Sequence, residues 1–425
     1  MRRIVIVGNG IAGNETAFTI RKYDQRSKVT IISAENCPEY DPGALTYYVS
    51  DDLSREAVFL KNIDDYHRSN IDLLLGHKVT KIDCSEKKVC MDDDSGIDYD
   101  KLVIATGSKP VIPPIDGVDK EGVFGCKVLS DADSLVSHNG ENVVVVGSGL
   151  IGIEASEALK KKGYNVYLIE LLDWIMPRVF DEKPAGILAN LLSKHGIDVL
   201  IKEKVLSIDG DDKVRKITTD KRELMCDTVV LATGVFPAND LALDAGLKIG
   251  KSKGIKVNER GMTNVEDVYA CGDCVETQDA FAEEDAAYLQ RHNALEQAEV
   301  VARNCAGDCF TYRGVWDFTR VHFFDTHGVS IGKKLMNTDN AEIIEKNYGN
   351  DYCRLISHEG RLSGVQAIGK FADNAGLLLG AMWRQDDLNE IRSQWDRIQQ
   401  INSSYPWPYR ILCRYLGSKK KTGVG

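Results

Sequence analysis

Three glycines near the start of the chain have the spacing of a turn that binds a dinucleotide. Gly8, Gly10 and Gly13 come directly after a short apolar run, which is typical of a parallel strand buried on both faces. The first glycine permits a tight turn, the second lets the backbone approach a pyrophosphate, and the third lets the next helix pack closely. Glu35 lies 22 residues after Gly13, at the end of a second predicted strand, where a carboxylate binds a ribose. The residues predicted to contact the dinucleotide here are Gly8, Gly10, Ile11, Ala12, Gly13 and Glu35.

The same arrangement occurs again in the middle of the chain. A second Gly-x-Gly-x-x-Gly begins at Gly147, and Glu170 lies 18 residues after its last glycine. Residues 100–107 and 227–234 also match each other, and both end in Ala-Thr-Gly. The repetition predicts two related dinucleotide-binding domains. The residues predicted to bind cofactors in these segments are Ala105, Thr106, Gly107, Gly147, Gly149, Leu150, Ile151, Gly152, Glu170 and Gly234.

The elements that position these residues predict an α/β fold. We expect two Rossmann-like dinucleotide-binding domains followed by a C-terminal α+β interface domain, because short alternating strands begin at about residue 310. Proline-containing turns mark the crossings between the first two domains. The expected segments are 1–112 and 241–309 for the first domain, 113–240 for the second, 310–402 for the third, and 403–425 for a basic aromatic tail.

Composition excludes several classes of function. A chain of 425 residues suits two or three domains, and a net charge of −11 disfavours nucleic-acid binding. Eleven cysteines, an odd number spread over the chain, favour reduced thiols in a cytoplasm over a disulfide framework. No apolar run reaches the length of a membrane span, and the first residues lead directly into a strand. We therefore expect a cytoplasmic protein.

The two fingerprints, the two Ala-Thr-Gly segments and residues 269–273 occur in the order found in a known family. The chain resembles the FAD-dependent pyridine nucleotide-disulfide oxidoreductase superfamily over roughly residues 1–375. The resemblance implies that the first fingerprint and Glu35 bind FAD. It also implies that Gly272 and Asp273 form the turn whose carboxylate binds the flavin ribityl chain. The helix beginning near Leu289 would then point its positive end at the flavin.

The resemblance assigns the second fingerprint and Glu170 to a nicotinamide dinucleotide. Glu154 matches a carboxylate that lies near the nicotinamide, and it is the predicted catalytic residue. Leu150 stands where many members carry a tyrosine that covers the flavin. NADH is expected rather than NADPH, because Leu171 and Leu172 follow Glu170 where a phosphate-binding enzyme would carry arginine or lysine.

The chain departs from the family where the family carries its redox thiol. Gly43 occupies the position of the single redox cysteine in related enzymes, and Cys37 lies six residues earlier. No proline follows a histidine, so the His-Pro base of disulfide reductases is also missing. Cys271 and Cys274 fit buried thiols in a turn, a redox pair, or half of a cluster site with Cys305 and Cys309. No histidine spacing indicates a metal site.

These residues predict an NADH-linked FAD flavoprotein that passes electrons, in either direction, between NAD(H) and a protein carrier, such as an iron–sulfur protein. Hydride would pass directly between the nicotinamide and the flavin. We expect a homodimer or a subunit of a larger complex, as in ferredoxin, rubredoxin, nitrite or aldehyde oxidoreductase systems. The alternatives are a membrane-surface NADH:quinone reductase, an oxygen-reducing NADH oxidase and a non-enzymatic nucleotide sensor. The basic aromatic tail, residues 403–425, is a predicted docking segment.

Overall fold

The computed structural model of the protein describes residues 1–282, 284–332 and 341–390. Its helices are α1 (Ile11–Tyr23), α2 (Leu45–Val49), α3 (Ile63–Arg68), α4 (Leu129–Ser137), α5 (Leu150–Lys161), α6 (Glu182–Lys194), α7 (Asp240–Asp244), α8 (Arg291–Ala306) and α9 (Ala375–Arg384). Its strands are β1 (Arg3–Val7), β2 (Lys28–Ser33), β3 (Ile71–Leu75), β4 (Val79–Asp83), β5 (Lys88–Met91), β6 (Gly96–Asp98), β7 (Lys101–Ile104), β8 (Ser108–Pro110), β9 (Val123–Phe124), β10 (Asn142–Val146), β11 (Asn165–Ile169), β12 (Ile197–Leu200), β13 (Val205–Asp209), β14 (Lys216–Thr219), β15 (Glu223–Met225), β16 (Thr228–Leu231), β17 (Val235–Pro237), β18 (Ile255–Lys256), β19 (Val268–Ala270), β20 (Val275–Gln278), β21 (Asp285–Ala286), β22 (Phe318–Phe323), β23 (Thr326–Gly332), β24 (Glu342–Tyr348), β25 (Asp351–His358) and β26 (Arg361–Ile368). Short 3-10 turns cover Pro42–Ala44, Arg55–Val58 and Gly369–Asn374.

The chain divides into two compact units, each built from separate pieces of sequence. Unit 1 consists of Met1–Pro114, Gly122–Asn139 and Leu231–Trp316. Unit 2 consists of Ile115–Glu121, Gly140–Val230 and the described residues from Asp317 onward. The five-segment division of the sequence stays a prediction, and residues 122–139 belong to unit 1 in the structure. The tail, residues 403–425, lies outside the described residues.

The main sheet of unit 1 is parallel and has the strand order β19-β7-β1-β2-β3. Its central strand β1 is buried on both faces, which explains the continuous apolar run there. Ile4 and Ile6 belong to a core cluster that includes side chains of α1 and α8. Val5 and Val7 belong to a second cluster that includes side chains of the antiparallel sheet β4-β5-β6. Packing on both faces therefore fixes β1, and with it the start of the fingerprint that follows the strand.

Unit 2 contains a second parallel sheet and an antiparallel one. β10 pairs in parallel with β11, and β11 pairs in parallel with β12. The antiparallel sheet has the order β22-β23-β26-β25-β24, with α9 after its last strand. These sheets confirm the predicted α/β class with two Rossmann-like domains and a C-terminal α+β domain. Within the part of the chain that is described, no helix is both long enough and apolar enough to cross a membrane.

Candidate functional site

The glycines of the first fingerprint leave no room for a side chain at two positions and leave space at a third. Gly8 has φ +115°, and a Cβ there would lie 2.2 Å from the carbonyl oxygen of Ala105. A Cβ on Gly13 would lie 1.9 Å from the carbonyl oxygen of Gly8. At Gly10 a Cβ would meet no atom within 4 Å, so this backbone faces open space that fits a pyrophosphate. The Gly8 N–H donates to the carbonyl of Ile32 (2.9 Å), which joins the turn to β2.

Glu35 lies just beyond the end of β2 and is held by a tyrosine. The Tyr40 hydroxyl lies 3.0 and 3.3 Å from the two Glu35 carboxylate oxygens, to which it donates. The same hydroxyl accepts a hydrogen bond from the N–H of Leu129, the first residue of α4 (3.2 Å). Burial and the nearby Glu35 carboxylate raise the pKa of Tyr40. Glu35 itself is exposed, so its carboxylate is available to a ribose.

Asp273 is the last of three side chains that hydrogen bonds connect in series and that come from separate parts of the sequence. The Ser108 hydroxyl donates to Asp273 Oδ2 (2.9 Å), and Lys127 Nζ donates to the Ser108 hydroxyl (2.9 Å). Burial raises the pKa of Asp273 and lowers the pKa of Lys127. A carboxylate, a hydroxyl and an ammonium group together suit a ligand with both hydroxyl and phosphate groups.

Backbone contacts hold the remaining predicted residues of unit 1 in place. The Thr106 hydroxyl donates to the carbonyl of Ala238 (2.7 Å), and the Ala238 N–H donates back to Gly107 (2.9 Å). Gly272 has φ +82°, and its N–H donates to the Gln297 side chain on α8 (2.7 Å). Gly107 and Gly234 have φ +69° and +105°, and a Cβ on either would meet no atom within 4 Å.

Unit 1 therefore brings together the residues that would hold FAD. The open backbone at Gly10, the exposed Glu35 carboxylate and the Asp273 group fit its pyrophosphate, adenosine ribose and ribityl chain. The helix α8 begins at Arg291 with no side-chain cap, so its positive end is free to face an anionic ring. Arg291 forms an ion pair with Asp41, in the segment that contains Gly43.

The second fingerprint has the same geometry in unit 2. Gly147 has φ +102°, and its N–H donates to the carbonyl of Ile169 (2.8 Å) at the end of β11. A Cβ on Gly149 would meet no atom within 4 Å, as at Gly10 in the first fingerprint. The helix α5 begins at Leu150 directly after this glycine, with Ile151 exposed and Gly152 buried. This turn fits the pyrophosphate of a second dinucleotide.

Glu170 is 8% exposed, and three hydrogen-bond donors already contact its carboxylate. Oε2 accepts from the N–H of Ser148 (3.2 Å) and from the Ser148 hydroxyl. Oε1 accepts from the N–H of Leu172 (2.9 Å). The side chains of Leu171 and Leu172 are 60% and 50% exposed next to this carboxylate.

Glu154 lies on α5, one turn beyond the start of the helix. Burial and, to a smaller extent, the neighbouring carboxylate of Glu157 raise the pKa of its carboxyl to about 7. A carboxyl group that titrates near neutrality is suited to holding or releasing a proton. Its catalytic role stays a prediction.

The thiols near the first fingerprint do not have the properties of redox groups. Cys271, Cys274 and Cys305 are fully buried, and burial raises the pKa of Cys274 to about 11 and that of Cys305 to about 12. The Cys274 thiol donates to the carbonyl of Cys271 rather than to another thiol (3.3 Å). Burial and the Glu35 carboxylate raise the pKa of Cys37 to about 11. The structure thus favours the first of the three alternatives, buried thiols in a turn.

One group of side chains has the spacing of metal ligands among the residues that the structure describes. His77, Asp92 and Asp93 place their ligand atoms within 4.8 Å of one another. His77 Nδ1 lies 3.5 Å from Asp93, and Asp92 accepts from the N–H of Lys78 (3.1 Å). These turn and ion-pair contacts account for the group, and we assign it no metal.

Sequence reasoning found the fingerprints and missed the side chains that support them. Tyr40, Ser108, Lys127, Ser148 and Gln297 were not predicted, although each contacts a predicted site residue or its immediate partner. Ser148, Tyr40 and Ser108 lie inside or beside a motif and could have been found there. Lys127 and Gln297 lie outside the motifs and carry no local signal.

Each unit thus carries one turn that fits a dinucleotide, with a carboxylate placed where it could bind a ribose, which is the arrangement of nucleotide-linked oxidoreductases with two dinucleotide sites. The chain belongs to the pyridine nucleotide-disulphide oxidoreductase family, whose model matches residues 2–298. It is 37% identical over 315 residues to an NADH oxidase of Methanocaldococcus jannaschii, a match that covers 72% of this chain and 70% of that protein.

Two further comparisons cover more of the chain. It is 29% identical over 400 residues to the assimilatory nitrate reductase electron transfer subunit of Bacillus subtilis. That match covers 92% of this chain but 51% of the relative, so the chain spans about half its length. A solved NAD-dependent persulfide reductase from A. fulgidus superimposes with a TM-score of 0.86 and 29% identity, covering 96% of this chain and 80% of that one.

The protein is an FAD-dependent NAD(P)H oxidoreductase, and FAD and NAD are its cofactors. NADH-linked electron transfer through the flavin is its general activity. The cofactor assignments of individual residues stay predictions that the geometry of the two units supports.

Proposed function

We propose that the protein oxidises NADH and passes the electrons to a protein electron carrier, as the flavin subunit of a larger complex. The observation that carries this proposal is Gly43, which stands where the family resemblance places a redox cysteine. It lies exposed in the 3-10 turn Pro42–Ala44, and its N–H donates to Asp41 (3.0 Å). With no thiol there, this turn offers no sulfur relay between flavin and acceptor.

The chemistry of the cofactor explains why this favours a carrier. FAD, when bound, takes up two electrons from NADH as a hydride and can release them one at a time. A one-electron carrier needs only close approach to the flavin, whereas disulfide or persulfide reduction needs a nucleophilic thiolate. The match of 92% of this chain to an electron transfer subunit supports the same class of activity.

We propose NADH rather than NADPH as the reductant. Leu171 and Leu172 border Glu170 and carry no charge, and the nearby Lys202 is paired with Asp173 at 3.1 Å. A 2′-phosphate would meet the Glu170 carboxylate without a dedicated cation. We expect at least about a hundredfold preference for NADH in the rate of flavin reduction.

The test is NADH oxidation by the purified holoprotein with defined acceptors. Rubredoxin, a [2Fe–2S] ferredoxin and a [4Fe–4S] ferredoxin are compared with dioxygen, a soluble quinone and a one-electron dye. We expect at least one carrier to be reduced at a rate close to that of the dye, with dioxygen and quinone far slower. Stoichiometric oxygen reduction at the dye rate would contradict the proposal and identify an oxidase. Negligible turnover with every acceptor would identify a nucleotide sensor.

The tail offers a second test, although it lies outside the described residues. Residues 403–425 carry five positive charges, four large aromatics and no acidic residue. Deleting them should leave FAD content and NADH-to-dye activity intact while lowering transfer to the carrier. Binding of the intact protein to anionic vesicles, lost on deletion, would favour the quinone reductase instead.

The oligomeric state, measured by light scattering with and without the carrier, separates a homodimer from a subunit of a larger complex.

A further inference from the structure

The carboxylate of Glu170 is held in one orientation by a serine inside the second fingerprint. Ser148 is fully buried, and both its N–H and its hydroxyl donate to Glu170 Oε2. The hydroxyl also accepts a hydrogen bond from the N–H of Met176 (3.1 Å). Because that N–H approaches the oxygen as a donor, the single hydroxyl proton is left to point at Glu170.

The acceptor capacity of the carboxylate is almost used up by these contacts. An ionised carboxylate has two oxygens and about four acceptor directions. Ser148 occupies both directions on Oε2, and the N–H of Leu172 occupies one on Oε1. A single direction on Oε1 is therefore left for a ligand.

We infer that Ser148 is a positioning residue for NADH, which holds Glu170 so that it accepts from one ribose hydroxyl and not from two. The inference rests on the proposed NADH preference and assigns the source of that preference. The second ribose hydroxyl must then bind elsewhere or remain in water. Burial in a site with fixed donors makes the remaining hydrogen bond strongly directional, because the carboxylate cannot rotate to meet a displaced hydroxyl.

The first test compares Ser148→Ala with Ser156→Ala. Ser156 is a matched control: it is also fully buried and near the same fingerprint, but its hydroxyl donates to the carbonyl of Gly152 (2.7 Å). We expect Ser148→Ala to raise the Kd of NAD+ and the KM of NADH about tenfold, because the carboxylate is no longer held toward the ribose hydroxyl and its charge-assisted hydrogen bond to the ligand is weakened. The kcat of NADH-to-dye transfer at saturating NADH, the FAD content and the kcat/KM for NADPH should not change. Ser156→Ala should leave all of these at wild-type values.

A double-mutant cycle separates positioning from a general structural role. If Ser148 acts through Glu170, Ser148→Ala should have no further effect on NAD+ binding in a Glu170→Ala background. An effect of the same size in both backgrounds, or an equal loss of NADH and NADPH binding, would overturn the inference. NAD+ binding is measured by calorimetry, so the result does not depend on the identity of the electron acceptor.

Two NAD+ analogues test the single contact and need only the serine variant. They lack either the 2′ or the 3′ hydroxyl of the adenosine ribose. If Glu170 contacts a single hydroxyl, the analogue that lacks this hydroxyl should bind wild type and Ser148→Ala equally. The analogue that lacks the other hydroxyl should keep the tenfold difference between the two proteins. If both analogues still distinguish the two proteins, the carboxylate contacts both hydroxyls and the inference fails. Failure of carrier transfer in the previous tests would leave this result unaffected.

Discussion

The three glycines of the first fingerprint differ in what a side chain would meet. At Gly8 and Gly13 a Cβ would lie about 2 Å from backbone oxygens, so both positions are required for the fold itself. At Gly10 there is open space and no positive φ, so glycine is required there only by the ligand. The same motif thus contains structural and binding positions that the sequence pattern does not separate.

We therefore expect Gly10→Leu to fold but to lose FAD. Circular dichroism should match wild type while the purified protein is colourless, because the side chain fills the space for the pyrophosphate. Gly13→Ala should instead lower the free energy of unfolding by roughly 3 kcal/mol or more. Gly186→Ala, on the exposed face of α6 with no atom within 4 Å, is the control and should retain FAD. Full FAD content in Gly10→Leu would contradict the assignment of the site.

Glu154 predicts a pH dependence of stability. Burial raises the pKa of its carboxyl from 4.5 to about 7 in the folded protein, so the folded state favours the neutral form. The stability that the neutral Glu154 carboxyl contributes to the folded protein is fully present below about pH 4.5 and is lost as the pH rises through 7. We expect Glu154→Gln to match wild type near pH 4 and to be more stable at pH 8 by roughly 1–3 kcal/mol. Chemical denaturation at both pH values measures the free energy of unfolding. Equal stability of the two proteins at pH 8 would show that ionisation of the Glu154 carboxyl does not destabilise the folded state.

Among the elements, the turn Pro42–Ala44 with the following α2 is the one on which the proposed acceptor chemistry rests. It presents Gly43 and the 41% exposed Tyr47 to solvent, with no thiol in the turn or in α2. The neighbouring Asp41 is fixed by Arg291 at the start of α8, so the turn is anchored to the helix that is predicted to point at the flavin.

The turn predicts that the holoprotein takes up two electrons per FAD. Anaerobic titration with dithionite should end at that value without a thiolate-to-flavin absorption band, because burial raises the pKa of the nearby thiols. Alkylation of accessible cysteines should leave NADH-to-dye activity largely intact. Uptake of four electrons would instead require a redox disulfide.

At the scale of the whole molecule, the predicted binding residues of each cofactor's glycine fingerprint lie within one of the two units. The predicted FAD residues come from two of the three chain pieces of unit 1, Met1–Pro114 and Leu231–Trp316, and the second fingerprint with its carboxylate lies within unit 2. A ligand that joins separate pieces of chain stabilises the unit that they form, because it binds the folded state alone.

Removal of FAD should accordingly lower the melting temperature. Adding FAD to the deflavinated protein at a free concentration of 100 Kd should contribute about 2.7 kcal/mol, which corresponds to roughly 5–10 °C. Calorimetry with increasing FAD measures the shift, and Gly10→Leu serves as the control that should show none. A melting temperature independent of FAD in wild type would argue against a site built from folded unit 1.

The sequence alone determined the repeated units, because a fingerprint and its strands are local features with fixed spacing and periodicity. It correctly placed β1 before Gly8, β10 before Gly147, and a helix close to the observed α8. The family resemblance also matched Gly43 to the position of the redox cysteine, and this match stays a prediction.

Only the tertiary structure decided how the predicted side chains are supported. Lys127, Ser108 and Asp273 meet although they are far apart in the chain, and such contacts leave no periodic pattern in the sequence. The occupancy of the Glu170 carboxylate likewise depends on where Ser148 and Leu172 lie after folding. A residue's type fixes how many hydrogen bonds it can make, and the folded chain decides how many of them remain for a ligand.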